Sequence, residues 1–493
     1  MHYLLATEAL RLFRSGELSP VELTEAVIAR AEAIEPSVNA FAETFYDEAL
    51  DAARAAEKRY RTGDPRPLEG LTVAVKEEAP IAGQRNTLGS LPLRDEVARE
   101  TAPFVQRIID AGGIVHARTT TPEFSCAPVT WTKLWGVTRN PWNTAYAPGG
   151  SSGGSAAALA AGTAMLATGS DIGGSIRIPS SFCGVTGFKP PHGRVPEFPP
   201  FNLDHYCHEG PLARSVADCA LLENVIAGPH PSDVVSLRPK LWIPSPLPLI
   251  EGMRIALSLD LGCYDVDADV VANTLAAAER LRDAGADVSY VSLPWELSAI
   301  NRAAQIHFGM IFGPSIRPLF EEHGDDLTSY ARAFVAESDQ IAKEDFVAGL
   351  ELEAAIYAPL GTLLEDYDAL ICPTFAVPAL PAEWDHGDLA EGRCEGSWMD
   401  VMMTLPFNIA SRCPVLSVPS GRAANGVPTG LSIVGKTYDD VSVLRVAAAH
   451  EERFPWYTRP GVPPPARRLR RNRPRYPRTQ HSGGETGVQQ IHL

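Results

Sequence analysis

Positive charge is scarce in this chain. Its 493 residues carry 43 lysines and arginines against 60 acidic residues, a formal net charge of −17. So acidic a body repels phosphate, which excludes a broad nucleic-acid surface. The 8 cysteines are scattered, with no CxxC and no Cys/His ligand spacing. Neither a zinc site nor any other metal is therefore expected, and the thiols read as reduced and mostly buried in a cytoplasmic protein. Long hydrophobic runs are missing as well. The longest, Ala156–Ala167, is broken by Gly162, so no membrane span is expected. The start, Met1–Glu8, has no basic segment leading into an apolar run, so no signal peptide is expected. What remains is ordinary globular composition, 45% hydrophobic and 21% charged.

The most informative stretch is Gly149–Cys183. Two glycine-serine clusters, Gly149–Ser155 and Gly173–Ser175, flank an alanine-rich run that predicts a helix over Gly153–Ala161, with serine and glycine suited to its start. Ala164–Ser170 is short and apolar enough for a buried strand. The glycines after it let the backbone turn sharply and leave N–H groups uncovered, as a developing oxyanion requires. Ser175 closes that turn and is placed to be a nucleophile. A serine hydroxyl needs a base, and no histidine lies in the stretch. Lysine can serve if burial keeps it neutral near neutral pH. Lys76 fits, at the end of the strand-like run Leu71–Lys76.

Two other readings compete. A phosphate loop lacks its Gly-Lys-Ser/Thr ending. The nucleophile elbow G-x-S-x-G is matched literally by Gly149–Gly153 and Gly150–Gly154, which would make Ser151 or Ser152 the nucleophile. Pro148 rather than a strand precedes it, and no HGGG-type loop is present. If Lys76 is the base, no His→Ala change abolishes activity.

Taken together, Val73–Lys76, Gly136–Trp142, Gly149–Ser155, Asp171–Arg177, Phe182–Lys189, Gly210–Asp218, Cys372–Thr374 and Pro406–Asn408 resemble the amidase signature family of serine hydrolases, in the family's order. The resemblance covers roughly residues 5–460. It implies an α/β fold with a large mixed central sheet covered by helices on both faces. It also implies one domain over 1–461, with a catalytic core near 65–225 and a specificity region near 295–400. The Pro/Arg-rich tail 462–493 reads as disordered. By resemblance the catalytic residues are Lys76, Ser151 and Ser175, with Ser151 on a cis peptide relaying the proton. The N–H groups of Ile172, Gly173, Gly174 and Ser175 form the oxyanion hole, and Ser152, Asp171 and Arg177 support it. Arg177 either binds a substrate carboxylate or braces the loop with Asp171, and the brace is favoured. Cys126 and Trp131 are candidate substrate-wall residues. The implied activity is hydrolysis of a linear carboxamide through an acyl-enzyme, without metal or organic cofactor. The implied partner is a small-molecule amide, with a homodimer as the assembly considered and no nucleic acid or membrane. Within the family, Thr138–Asn143, His208–Asp218 and Leu405–Asn408 look most like bacterial amidases that include 6-aminohexanoate oligomer hydrolases. The rival is the A-type glutaminase subunit of a tRNA-dependent amidotransferase. Glu77 and Glu78 depart from the family, which usually has Asp after the lysine, and would disturb Lys76 if they faced it.

Elsewhere the pattern predicts helices over Thr7–Ser15, from Ser19 (a capping box with Pro20 and Glu22) to Ile34, over Tyr46–Tyr60, and from a Thr101 cap to Ala111. Further helices are predicted at Ser215–Ile226, Asp267–Ala284 and Asp440–Glu452. Strands are predicted at Gly113–Thr119, Met253–Leu259 and Asp287–Leu293. Residues 295–400 show the weakest pattern and read as loops carrying His307, Phe308, Tyr330, Phe334, Trp384 and Trp398.

Overall fold

Short apolar runs bounded by glycine and proline become strands buried from end to end: Thr72–Lys76, Glu209–Ala213 and Ala369–Pro373 have no exposed residue. Strands hidden on both faces need cover from both sides, which the helices supply. The computed structural model describes residues 1–384 and 398–458; the tail 462–493 and the boundary at 461 lie outside the described residues. A mixed sheet of 11 strands runs through both halves of the chain. From one edge its order is Phe41–Thr44, Ile114–Thr119, Thr72–Lys76, Leu166–Ser170, Glu209–Ala213, Thr186–Lys189, Val415–Arg422, Pro428–Gly435, Ala369–Pro373, Arg254–Leu257 and Asp287–Tyr290.

Parallel pairing is confined to two places. Thr72–Lys76 runs parallel to both its neighbours, and so does Arg254–Leu257. The strands between Leu166–Ser170 and Ala369–Pro373 pair antiparallel. Helix Gly153–Ala161 has every residue buried. Only small side chains fit there, since a β-carbon on Gly154 would lie 2.5 Å from the Thr120 nitrogen.

Several local expectations hold. The Ser19 capping box forms, with the Ser19 N–H donating to Glu22 Oε2 at 2.9 Å, although the helix continues through Pro36 to Val38. Others need correction. The helix expected from Thr101 is Pro103–Asp110 with no side-chain cap; Thr101 Oγ1 instead accepts from the Ala82 N–H. Ser152 stands before helix Gly153–Ala161 but makes no cap bond. Much of the region read as loops forms long helices: Leu297–His323, Ser329–Ser338 and Asp345–Asp366. Prolines 314, 318 and 359 inside two of them mask the helical signal, because proline reads as a breaker. Asp345–Asp366 is also long and apolar enough, by length and composition, to cross a membrane, where none was expected. Its outer face exposes Phe346, Val347 and Leu350.

Candidate active site

Lys76 and Ser170 are the last residues of two adjacent parallel strands, registered Ala74 to Ala167. Their side chains therefore emerge at the same edge, the carboxyl ends where α/β sheets gather their ligands. Lys76 Nζ donates to Ser151 Oγ and to Ser170 Oγ, each at 2.7 Å, and is almost fully buried. Glu78 Oε1 lies 2.9 Å from the same nitrogen, at an angle that makes no hydrogen bond. The other Glu78 oxygen accepts from Ser125 Oγ. Of the two unexpected glutamates, then, Glu78 faces the lysine.

Glu77 turns away and is wholly buried, accepting from the N–H groups of Thr87 and Gly89. Burial, opposed by Arg118 and these hydrogen bonds, pushes its carboxyl up to about 7 from 4.5. The folded protein therefore holds this proton more tightly than the unfolded chain. The stability it contributes is complete below about pH 4.5 and is lost as pH rises through about 7. Thermal denaturation should show the wild type losing ground to Glu77→Gln across that window and levelling off above it. A difference that stays constant across the window would mean that Glu77 folds ionised.

The peptide between Gly150 and Ser151 is cis. A side chain is not tolerated at Gly150, whose β-carbon would sit 2.5 Å from the Ala127 carbonyl and 2.6 Å from that of Val129. Ser152 joins the two glycine clusters: its N–H donates to the Ser175 carbonyl at 3.1 Å and its hydroxyl to that of Ser170 at 3.2 Å. Ser175 is 7% exposed, and its hydroxyl makes no hydrogen bond among the described residues. Lys76 and Ser151 are thus in contact, while no hydrogen bond joins Ser151 to Ser175 here.

The glycine turn is held by one carboxylate. Asp171 Oδ1 accepts from the Gly174 N–H at 2.9 Å, and Oδ2 from the Ile176 N–H at 3.1 Å. Gly174 is therefore engaged, and the N–H groups left uncommitted among the described residues are those of Ile172, Gly173 and Ser175. Arg177 opens the short helix Arg177–Cys183 and meets Asp171 through Nε and Nη2 at 2.9 and 2.8 Å. Its remaining contacts are the Thr404 carbonyl at 3.0 Å and Asn408 Oδ1 at 2.5 Å. Both charges are fully buried. Burial works against the Asp171 charge, but Arg177 and Asn408 outweigh it and hold the carboxyl well below its ordinary range. Arg177 has no exposed surface to meet a substrate carboxylate.

The turn is backed by apolar side chains. A β-carbon on Gly173 would meet Phe308 Cζ at 3.3 Å, with Leu405 and Met402 each at 3.6 Å. Cys126 and Trp131 belong to the same apolar cluster. The Cys126 thiol donates to the Glu123 carbonyl at 3.2 Å. The Trp131 indole N–H donates to the Trp384 carbonyl at 2.9 Å, and its ring stands edge-on to Tyr330. Sequence reasoning missed Ser170, Thr404 and Asn408. Ser170 could have been found from the parallel register, and Asn408 from Pro406–Asn408, a motif recognised without its role.

The family model described as Amidase matches residues 22–444. The chain is 31% identical to an acylamidase of Rhodococcus erythropolis over 92% of its length and 96% of that protein. It is 32% identical to the A-type subunit of the glutamyl-tRNA(Gln) amidotransferase of Chloroflexus aggregans, over 93% and 98%. Among solved structures, a bacterial aryl acylamidase superposes with a TM-score of 0.86 at 29% identity, covering 92% of this chain and 97% of that one. The 6-aminohexanoate cyclic dimer hydrolase complexed with substrate gives 0.80 at 29% identity, over 93% and 99%. With a family match across most of its length and the same sheet and flanking helices as these structures, the chain belongs to the amidase signature family, hydrolases that act on carbon–nitrogen bonds.

Proposed function

We propose that this chain hydrolyses a small carboxamide through an acyl-enzyme on Ser175, with Lys76 and Ser151 as its proton relay. The observation that carries the reading is the 2.7 Å bond from Lys76 Nζ to Ser151 Oγ, beside a turn with uncommitted backbone N–H groups. Ser175 Oγ attacks the carbonyl carbon. Its proton moves to Ser151 Oγ as the Ser151 proton moves to Lys76 Nζ. The N–H groups of Ile172, Gly173 and Ser175 receive the oxyanion. The C–N bond then breaks as the proton returns along the relay to the leaving nitrogen. Water cleaves the ester by the same relay, releasing the carboxylic acid and restoring Ser175.

The apolar backing by Phe308, Met402 and Leu405 suits an apolar acyl or aryl group, and the likeness to an aryl acylamidase points the same way. The amidotransferase reading draws on the 32% identity to the Chloroflexus aggregans protein. Against it, the Arg177 side chain is wholly buried and gives four of its five N–H groups to Asp171, Asn408 and Thr404, which leaves no two-pronged contact for the carboxylate of glutamine. The test is to assay the purified chain alone on an N-acyl arylamine, an aliphatic amide and glutamine. Release of amine or ammonia from the simple amides without added subunits is expected. Turnover of glutamine alone, and only with partner subunits, would overturn the proposal in favour of the amidotransferase role.

A further inference from the structure

Beside the amide site, and used by no step of its chemistry, two imidazoles converge on one carboxylate. Asp204 and His205 follow the single turn Phe201–Leu203, and His307 comes from helix Leu297–His323. Their ligand atoms all lie within 4.8 Å of one another. Donors around a tetrahedral zinc ion sit about 3.3 Å apart, given bonds near 2.0–2.1 Å, so modest side-chain closure would complete the set. We propose that Asp204, His205 and His307 bind one divalent transition-metal ion of the zinc type.

Three observations bear on this set. His307 Nε2 stands 2.8 Å from Asp204 Oδ1, off the line of a well-formed hydrogen bond. The ring is fixed by stacking on Tyr206, with centroids 3.6 Å apart and planes 7° from parallel. Second, Glu353 accepts from the Tyr206 hydroxyl at 2.9 Å and lies 3.0 Å from His205 Nε2. A carboxylate on one imidazole nitrogen orients the ring and leaves the other nitrogen for a metal. Third, Asp204 and His307 are nearly buried, while the His205 side chain is 30% exposed, which gives an ion a way in. Two imidazoles with a carboxylate suit zinc and its neighbours better than calcium or magnesium.

The position gives the ion a purpose. It would pin the loop through Asp204–His208 to helix Leu297–His323. His208 Nδ1 lies 3.1 Å from the Asp171 carbonyl, and Phe308, next to His307, backs Gly173. The ion would therefore tie together two walls of the glycine turn. No local Cys/His spacing announced it, because the ligands come from separate elements.

The test is to strip the purified full chain with a chelator, then titrate it with Zn²⁺ by calorimetry and measure bound metal by mass spectrometry. One equivalent per chain and a higher melting temperature are expected. His307→Ala should lose that equivalent or weaken it at least tenfold, on the order of a lost ligand-shell group. His205→Ala, at a partly exposed position, should do the same and serves if the buried variant fails to fold. Co²⁺ in place of Zn²⁺ should give visible absorption of a four-coordinate site in the wild type alone. Absence of stoichiometric binding, or binding unchanged in His205→Ala, would overturn the proposal whatever the amidase assay shows.

Discussion

Ser175→Ala is expected to abolish amide turnover, by about 10⁴-fold or more, because members of a nucleophile–base relay act as one unit. Lys76→Met should cost as much, and the double variant little more than either alone. Additive losses would mean that the two residues act in separate steps. The folded state gives a clean control for the serine. Its hydroxyl has no hydrogen-bond partner among the described residues, so its removal leaves nothing unsatisfied, and the melting temperature should stay within the range of a neutral surface change. Lys76→Met is less innocent. It leaves the Glu78 carboxylate, 17% exposed, without the nitrogen that faces it, so its stability must be measured alongside its rate. A near-normal rate in Ser175→Ala would remove the nucleophile assignment outright.

Arg177→Met is expected to cost about 3–5 kcal/mol of stability, the usual result of stranding one partner of a buried ion pair. Both partners here are 0% exposed, and Asp171 would keep its charge with only Asn408 and backbone N–H groups to meet it. Activity should fall too, since the same carboxylate fixes the Gly174 and Ile176 N–H groups at the turn. Arg177→Lys should recover little, because an ammonium cannot reproduce the two-pronged contact through Nε and Nη2. Urea denaturation measures the loss. If Arg177→Met left stability unchanged and weakened only carboxylate-bearing substrates, Arg177 would be a binding residue and the brace would be wrong.

Much of the local architecture could be read in advance. Helix Gly153–Ala161 was placed to the residue because alanine propensity and a glycine at each end leave no other choice. The Ser19 capping box was legible for the same reason, since its groups lie within four residues. Helices of 295–384 were not. They are interrupted by proline and held by packing against Phe375, Leu405 and their neighbours rather than by a polar–apolar rhythm. The direction of the two glutamates was equally closed to the sequence. Alternation along an extended segment hints that neighbours diverge, but the identity of the one facing Lys76 depends on the turn that follows the strand.

By itself the sequence determined the reagents: a lysine at a buried strand end, serines beside glycines, and an aspartate and arginine six positions apart. Chain-local preferences decide such things, acting over a few residues. Only the tertiary structure decided which reagents meet. Lys76 reaches Ser151 across 75 positions, and Arg177 reaches Asn408 across 231. Those distances close only when buried strands align and their ends share one edge. Burial then makes each meeting consequential, because an unmatched polar group cannot fall back on water.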